Sequence, residues 1–182
     1  MIFARWRARR ASKSVIEQIR GEIVAAARRP ALYDGLDAPD RIDGRFEILT
    51  LHAGLVLRRL IALGGLGEAM AQELVNSVFM HFDDTLREMA IGDMGVSKRL
   101  KKMTAAFYGR NAAYAAALDS GSRTELAAAL ARNVYGVKAA PKAALLADYV
   151  ASLDGALART PIEDFATGRF RFPDGPSPSP GE

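Results

Sequence analysis

Apolar residues recur at steps of three and four along almost the whole chain, and no stretch alternates with the two-residue period of a half-buried strand. A helix brings the same face round every 3.6 residues, so this spacing commits the chain to packed helices. The pattern predicts an all-α domain of about six main helices. The first is predicted from Ala4 to Arg28, stopping before Pro30, which cannot continue it. A connector, LYDGLDAPDRIDG, follows with Asp–Gly and Pro–Asp turn signals. The second helix carries Phe46, Leu49, Ala53, Val56 and Leu60 on one stripe and Ile48, Leu51 and Leu55 on another. Apolar on two sides, it belongs at the centre of the fold. Gly64-Gly65 ends it. The third runs from Met70 through Phe82 towards Gly92, and the fourth carries Val96, Leu100, Met103, Phe107 and Tyr114. A short fifth ends at Gly136, and Pro141 opens a sixth.

The hydrophobic share of 49% over 182 residues is enough for one real core. Residues 1–172 form the predicted domain. Residues 173–182, rich in Pro, Ser and Gly, read as a disordered tail. The absence of cysteine excludes disulfides, thiolate metal sites and cysteine nucleophiles. No apolar run reaches the roughly eighteen residues that a membrane-spanning helix needs.

The formal charge is +4, and its distribution matters more than its sum. Residues 1–29, the basic first helix, hold eight basic residues against two acidic ones, Glu17 and Glu22, so the remainder is slightly acidic. The start is Arg-rich and acid-poor like a targeting leader, but its helical pattern runs unbroken into Val15, Ile16 and Ile19, so it is read as part of the helix. Phe3 and Trp6 beside Arg5, Arg7, Arg9 and Arg10 form a candidate contact with an anionic membrane surface.

Chemistry-bearing constellations are weak. His81, Asp84 and Glu88 share a helix face and resemble half of a carboxylate–histidine metal site. The other half is missing, because Glu47 and His52 are spaced five apart rather than three. Polar surface with local ion pairing to Arg87 is the favoured role for that face. No G-x-S-x-G nucleophile motif occurs, and LGGLGEA lacks the lysine and preceding strand of a phosphate loop. The chain is therefore read as a non-enzyme without a cofactor.

The densest polar feature is REMAIGDMGVSKRLKKMTAAFYGR, residues 87–110. Its lysines Lys98, Lys101 and Lys102 fall opposite the Leu100/Met103/Phe107 stripe. A basic helix face is often only solvated, and it is also the form that a docking surface for phosphate or an acidic partner takes.

At this segment the chain resembles the ubiquinol–cytochrome c chaperone family, whose mitochondrial members assist cytochrome b into respiratory complex III. The resemblance lies in ALYDGLDAPDRIDGRFEILTLHAGLVLRRL (residues 31–60) and HFDDTLREMAIGDMGVSKRLKKMTAAFYGR (residues 81–110). The second stretch carries D-x-x-L-R-E-M, G-D-x-G-V, a basic cluster and A-F-Y-G-R in order. The likeness continues more loosely to about residue 157.

It implies a helical assembly chaperone that binds newly made cytochrome b, an untransformed client, with a ribosome or an anionic membrane as further contacts and no DNA. Mitochondrial members also use a small partner protein. The short, Ala- and Arg-rich chain reads instead as a bacterial member, placed in the cytoplasm or on the inner face of the membrane (the mitochondrial matrix if eukaryotic). Candidate partner-binding residues are Arg87, Asp93, Gly95, Lys98, Lys101, Lys102, Phe107, Tyr108 and Arg110. Phe107 also suits the core, Gly95 a turn, and Asp93 an N-cap contributing about 1 kcal/mol. The rival reading is an RNA- or ribosome-associated basic helical protein that holds no client.

Overall fold

The computed structural model describes the backbone of residues 2–88 and 93–174, and the side chains of 13–88 and 95–174. The six main helices are α1 (Ile2–Ala27), α3 (Ile42–Ala62), α4 (Leu66–Glu88), α5 (Asp93–Asp119), α6 (Arg123–Leu130) and α7 (Ala143–Leu157). Two single-turn helices complete the set, α2 (Pro30–Asp34) and α8 (Ile162–Ala166). A π-helical turn, Ala131–Tyr135, extends α6. Among the described residues there is no strand. The all-α expectation holds.

Helix α3 is central, as its two apolar stripes predict: it packs against α1, α4, α5, α7 and the π-helical turn. Ile48, Val56 and Leu60 are wholly buried along it. At its end Gly64 (φ 65°) and Gly65 (φ 47°) take the left-handed conformation that side chains with a Cβ resist, which reverses the chain into α4. Gly136 (φ 71°) ends the π-helical turn in the same way. Helix α6 opens with a capping arrangement in which Ser122 accepts the Glu125 N–H at 3.2 Å.

The structure adds what periodicity does not reach. At the start of the predicted turn-rich connector, Pro30 opens α2, which runs into it and buries Leu32. One turn of helix is too short to display a repeat. The same holds for α8, which carries the buried Phe165. Phe165 stacks on Phe170 with centroids 4.7 Å apart. Beyond it the chain lies against α1: Gln18 donates to the Gly168 carbonyl, and the Phe172 N–H to Glu22 at 3.1 Å. Arg29 donates to the Pro173 carbonyl at 3.1 Å and to Asp174 at 3.0 Å. Residues 175–182 lie outside the described residues.

Candidate functional site

The basic segment lies on α5, beside the N-terminal half of α3. Asp43 and Glu47 stand one turn apart on α3 and meet α5 through separate ion pairs. Arg99 bonds Asp43 at 3.1 Å, in the open, and Arg110 pairs with Glu47. Glu47 is only 6% exposed. Burial pushes its carboxyl up to about 7, against the pull of Arg110. The Arg110 guanidinium also lies over the Phe46 ring, 5.8 Å from its centroid.

With both acids engaged, Lys98 and Lys102 are left exposed and without an ion pair among the described residues. They line an open groove of about 600 Å³ with Gly95, Ala106 and the two arginines. Phe46 and Met103 form a wall shared with a second, smaller cavity between α1, α3 and α4, of about 160 Å³.

A row of rings supports this edge from within. Phe46 meets Phe82 at 5.0 Å, Phe82 meets Phe79 at 5.9 Å, and Phe79 meets Phe107 at 5.2 Å. The row surfaces at Tyr108, which is 54% exposed and 6.1 Å from Phe79. Phe107, by contrast, is 1% exposed. Its ring is packing for the helix pair, which corrects its place among the partner-contact residues.

The groove unites Gly95, Lys98, Lys102 and Arg110 from the sequence-predicted set. Lys101 is exposed but does not line it; it lies about two turns from Tyr108 on the same helix side. Arg87 is held by Asp83 at 2.7 Å on α4 and lies outside the groove lining. Asp93 begins α5, but its side chain, like those of Phe3, Arg5, Trp6, Arg7, Arg9 and Arg10, lies outside the described residues. Sequence reasoning missed Asp43, Arg99 and the Glu47–Arg110 pair. A lone acid inside the apolar run of α3 was a signal, but nothing in the order of residues joins it to Arg110.

The two histidines part company. His52 is fully buried, and its ring lies between the Ile48 carbonyl (2.7 Å from Nδ1) and the Tyr149 hydroxyl (2.8 Å from Nε2). A carbonyl only accepts, so Nδ1 carries the hydrogen and Tyr149 donates to Nε2. Burial lowers this histidine to about 4, so it is neutral. His81 is half-buried and lines the smaller cavity. Burial and the nearby Arg20 and Arg28 lower its pKa, opposed by Asp84 and Glu88. Among the described residues no three candidate ligands stand together to hold a metal ion.

The sequence matches the Ubiquinol-cytochrome C chaperone family over residues 34–172. The chain belongs to the ubiquinol–cytochrome c chaperone family. The stretch matched contains α3, α4 and α5, hence the whole groove, and α1 lies entirely outside it. The crystal structure of the Cbp3 homolog from Brucella abortus superimposes with a TM-score of 0.84 at 38% identity, over 96% of this chain and 97% of that one. Membership thus rests on both sequence and architecture. Among curated proteins none matches. No helix among the described residues is long and apolar enough to cross a membrane.

Proposed function

We propose that this family member is an assembly chaperone of the ubiquinol–cytochrome c reductase, complex III, and that it holds newly made cytochrome b until the subunit is incorporated. The observation that carries the reading is the α3–α5 edge, where Lys98 and Lys102, without an ion pair among the described residues, flank a groove next to an apolar cavity. Holding a client calls for surface rather than bond-making. Apolar contact supplies affinity at roughly 25 cal/mol per Å² buried, while exposed charges select the partner and speed its arrival. Neither contribution is large, which suits a hold that must end. Tyr108 adds a rigid ring that reaches water, the type of residue that anchors interfaces.

The protein acts on the cytoplasmic side of a bacterial membrane, with the basic start of α1 against anionic headgroups. It needs no cofactor and carries out no reaction. Deleting the gene is expected to lower assembled cytochrome b while sparing unrelated membrane enzymes. Normal cytochrome b in the deletion strain would overturn the reading. Steeply salt-dependent recovery of RNA in place of cytochrome b would favour the ribosome-associated alternative.

A further inference from the structure

The smaller cavity is walled by Val24 and Ala27 of α1, Leu49 of α3, and Phe82 and Leu86 of α4. Its volume, about 160 Å³, is that of a space which takes one benzene-sized group. Ile42, 47% exposed, is part of its lining and leaves apolar surface open beside it. Among the described residues the polar members of the lining are Arg28, Tyr33, Arg45, His81 and Thr85, with no acid among them. Arg45 is occupied, bonding Asp40 at 2.6 Å and lying over the Tyr33 ring. Arg28 has no ion pair among the described residues, and its charge is felt at both His81 and Tyr33. Across the Phe46–Met103 wall, Lys98 and Lys102 are likewise unmatched, because Asp43 and Glu47 are taken by Arg99 and Arg110. Among the described lining residues the charges left over on both sides of the wall are positive, while Asp84 and Glu88, whose charge is felt at His81, stand outside the lining.

We infer that this cavity seats one large apolar side chain of a partner polypeptide, and that acidic residues next to that side chain meet Arg28 on one side and Lys98 and Lys102 on the other. A bilayer surface satisfies the cations but is too flat to fill a cavity between helices. A nucleic-acid backbone satisfies them too and leaves the apolar walls wet. An apolar residue with acidic neighbours answers both features at once. Only the identity of the partner as cytochrome b rests on the function proposed above; the chemistry of the cavity does not.

Two probes test this on the full chain. The first is 4-phenylbutyrate, with its neutral amide as control, followed by the ring-proton signals of the two histidines in NMR. Saturable binding is expected to move His81 and raise its midpoint, since a carboxylate beside the imidazole favours its charged form against Arg20 and Arg28. His52, sealed by Ile48 and Tyr149, is expected to stay still. The amide should bind more weakly. The second probe is a set of fluorescein-labelled peptides spanning the same organism's cytochrome b, read by anisotropy. Bound peptides are expected to carry an aromatic residue or Leu beside Asp or Glu. Thr85→Trp, which plugs the cavity from an exposed position, and Arg28→Glu, which reverses the rim while leaving the cavity open, should each weaken binding about tenfold or more. Circular dichroism shows whether each variant is folded, and should Thr85→Trp not fold, Arg28→Glu decides. His81 unmoved by phenylbutyrate, or peptide binding unchanged in the folded variants, overturns the inference. So does binding of phosphatidylglycerol vesicles that Thr85→Trp abolishes, which would make the occupant a lipid. Phenylbutyrate bound at His81 with no cytochrome b peptide retained supports the cavity and instead counts against cytochrome b as the client.

Discussion

Helix α3 carries two buried ionisable side chains, Glu47 and His52, and their surroundings could hardly differ more. His52 faces α7 and the C-terminal segment, between a carbonyl and a hydroxyl, with the Phe172 ring 5.2 Å away. Both of its hydrogen-bond partners are neutral and both ring nitrogens are satisfied, and the one charge felt there, that of Arg29, also disfavours protonation. Glu47 faces α5, paired with a charged Arg110 on the wall of an open groove. One region is closed and complete. The other spends its acids on Arg99 and Arg110 and leaves lysines over. Burial alone does not single out a site: the edge proposed to hold the client differs from the closed region in having spare charge beside accessible apolar surface.

The sharpest way to break this comparison is to empty each position. His52→Ala leaves a cavity and orphans the Tyr149 hydroxyl, so it is expected to cost about 3–5 kcal/mol in urea unfolding. Glu47→Gln at pH 7 is expected to cost only about 1 kcal/mol, because a carboxyl with its midpoint near 7 is already half neutral there. Equal losses at the two positions would erase the distinction.

The next effect is on pH dependence, where the two residues should act with opposite sign. His52 is depressed from 6.5 to about 4. In that window the unfolded chain binds the proton and the folded one resists it, so its contribution is present above pH 6.5 and is lost as pH falls towards 4. The loss is about 3 kcal/mol. Glu47 is raised from 4.5 to about 7, so the folded chain holds its proton longer. Its contribution is present below pH 4.5 and is lost as pH rises through 7. Stability measured from pH 4 to 8 should therefore rise with pH less steeply in His52→Gln than in wild type, and more steeply in Glu47→Gln. Parallel curves for the two variants would show that the residues are not differently seated.

Smaller still are the effects expected on stability at the lysines. Reversing Lys98, Lys101 and Lys102 to Glu is expected to change it by under about 0.5 kcal/mol each, yet to abolish recovery of cytochrome b at equal folded concentration. The pair Lys98→Glu/Lys102→Glu, which faces the groove, should account for most of the loss, and Lys101→Glu for little. Removing residues 1–13 should leave the fold unchanged and weaken association with anionic vesicles, each basic residue contributing up to about 1 kcal/mol near the surface. An unchanged membrane fraction would remove the N-terminal helix from the docking scheme.

The sequence by itself determined the helices and which of them is central, since a periodic apolar stripe is a local property that burial then enforces. The double stripe on Phe46–Leu60 becomes α3, and the Gly64-Gly65 and Gly136 breaks fall where left-handed backbone ends a helix. It also identified the family, through short motifs in residues 31–60 and 81–110. It did not reveal the single-turn helices α2 and α8, which are too short to repeat, nor the contact of residues 168–174 with α1. Above all, it did not show which charges are spare. Lys98, Lys101 and Lys102 read alike along the chain, and Arg110 reads as one more base. Only the packing of α3 against α5 brings Asp43 to Arg99 and Glu47 to Arg110, across sequence separations of more than fifty residues, and so decides that the positive charge facing the groove belongs to Lys98 and Lys102. Charge balance is a sum over neighbours in space, and those neighbours exist only once the helices have docked.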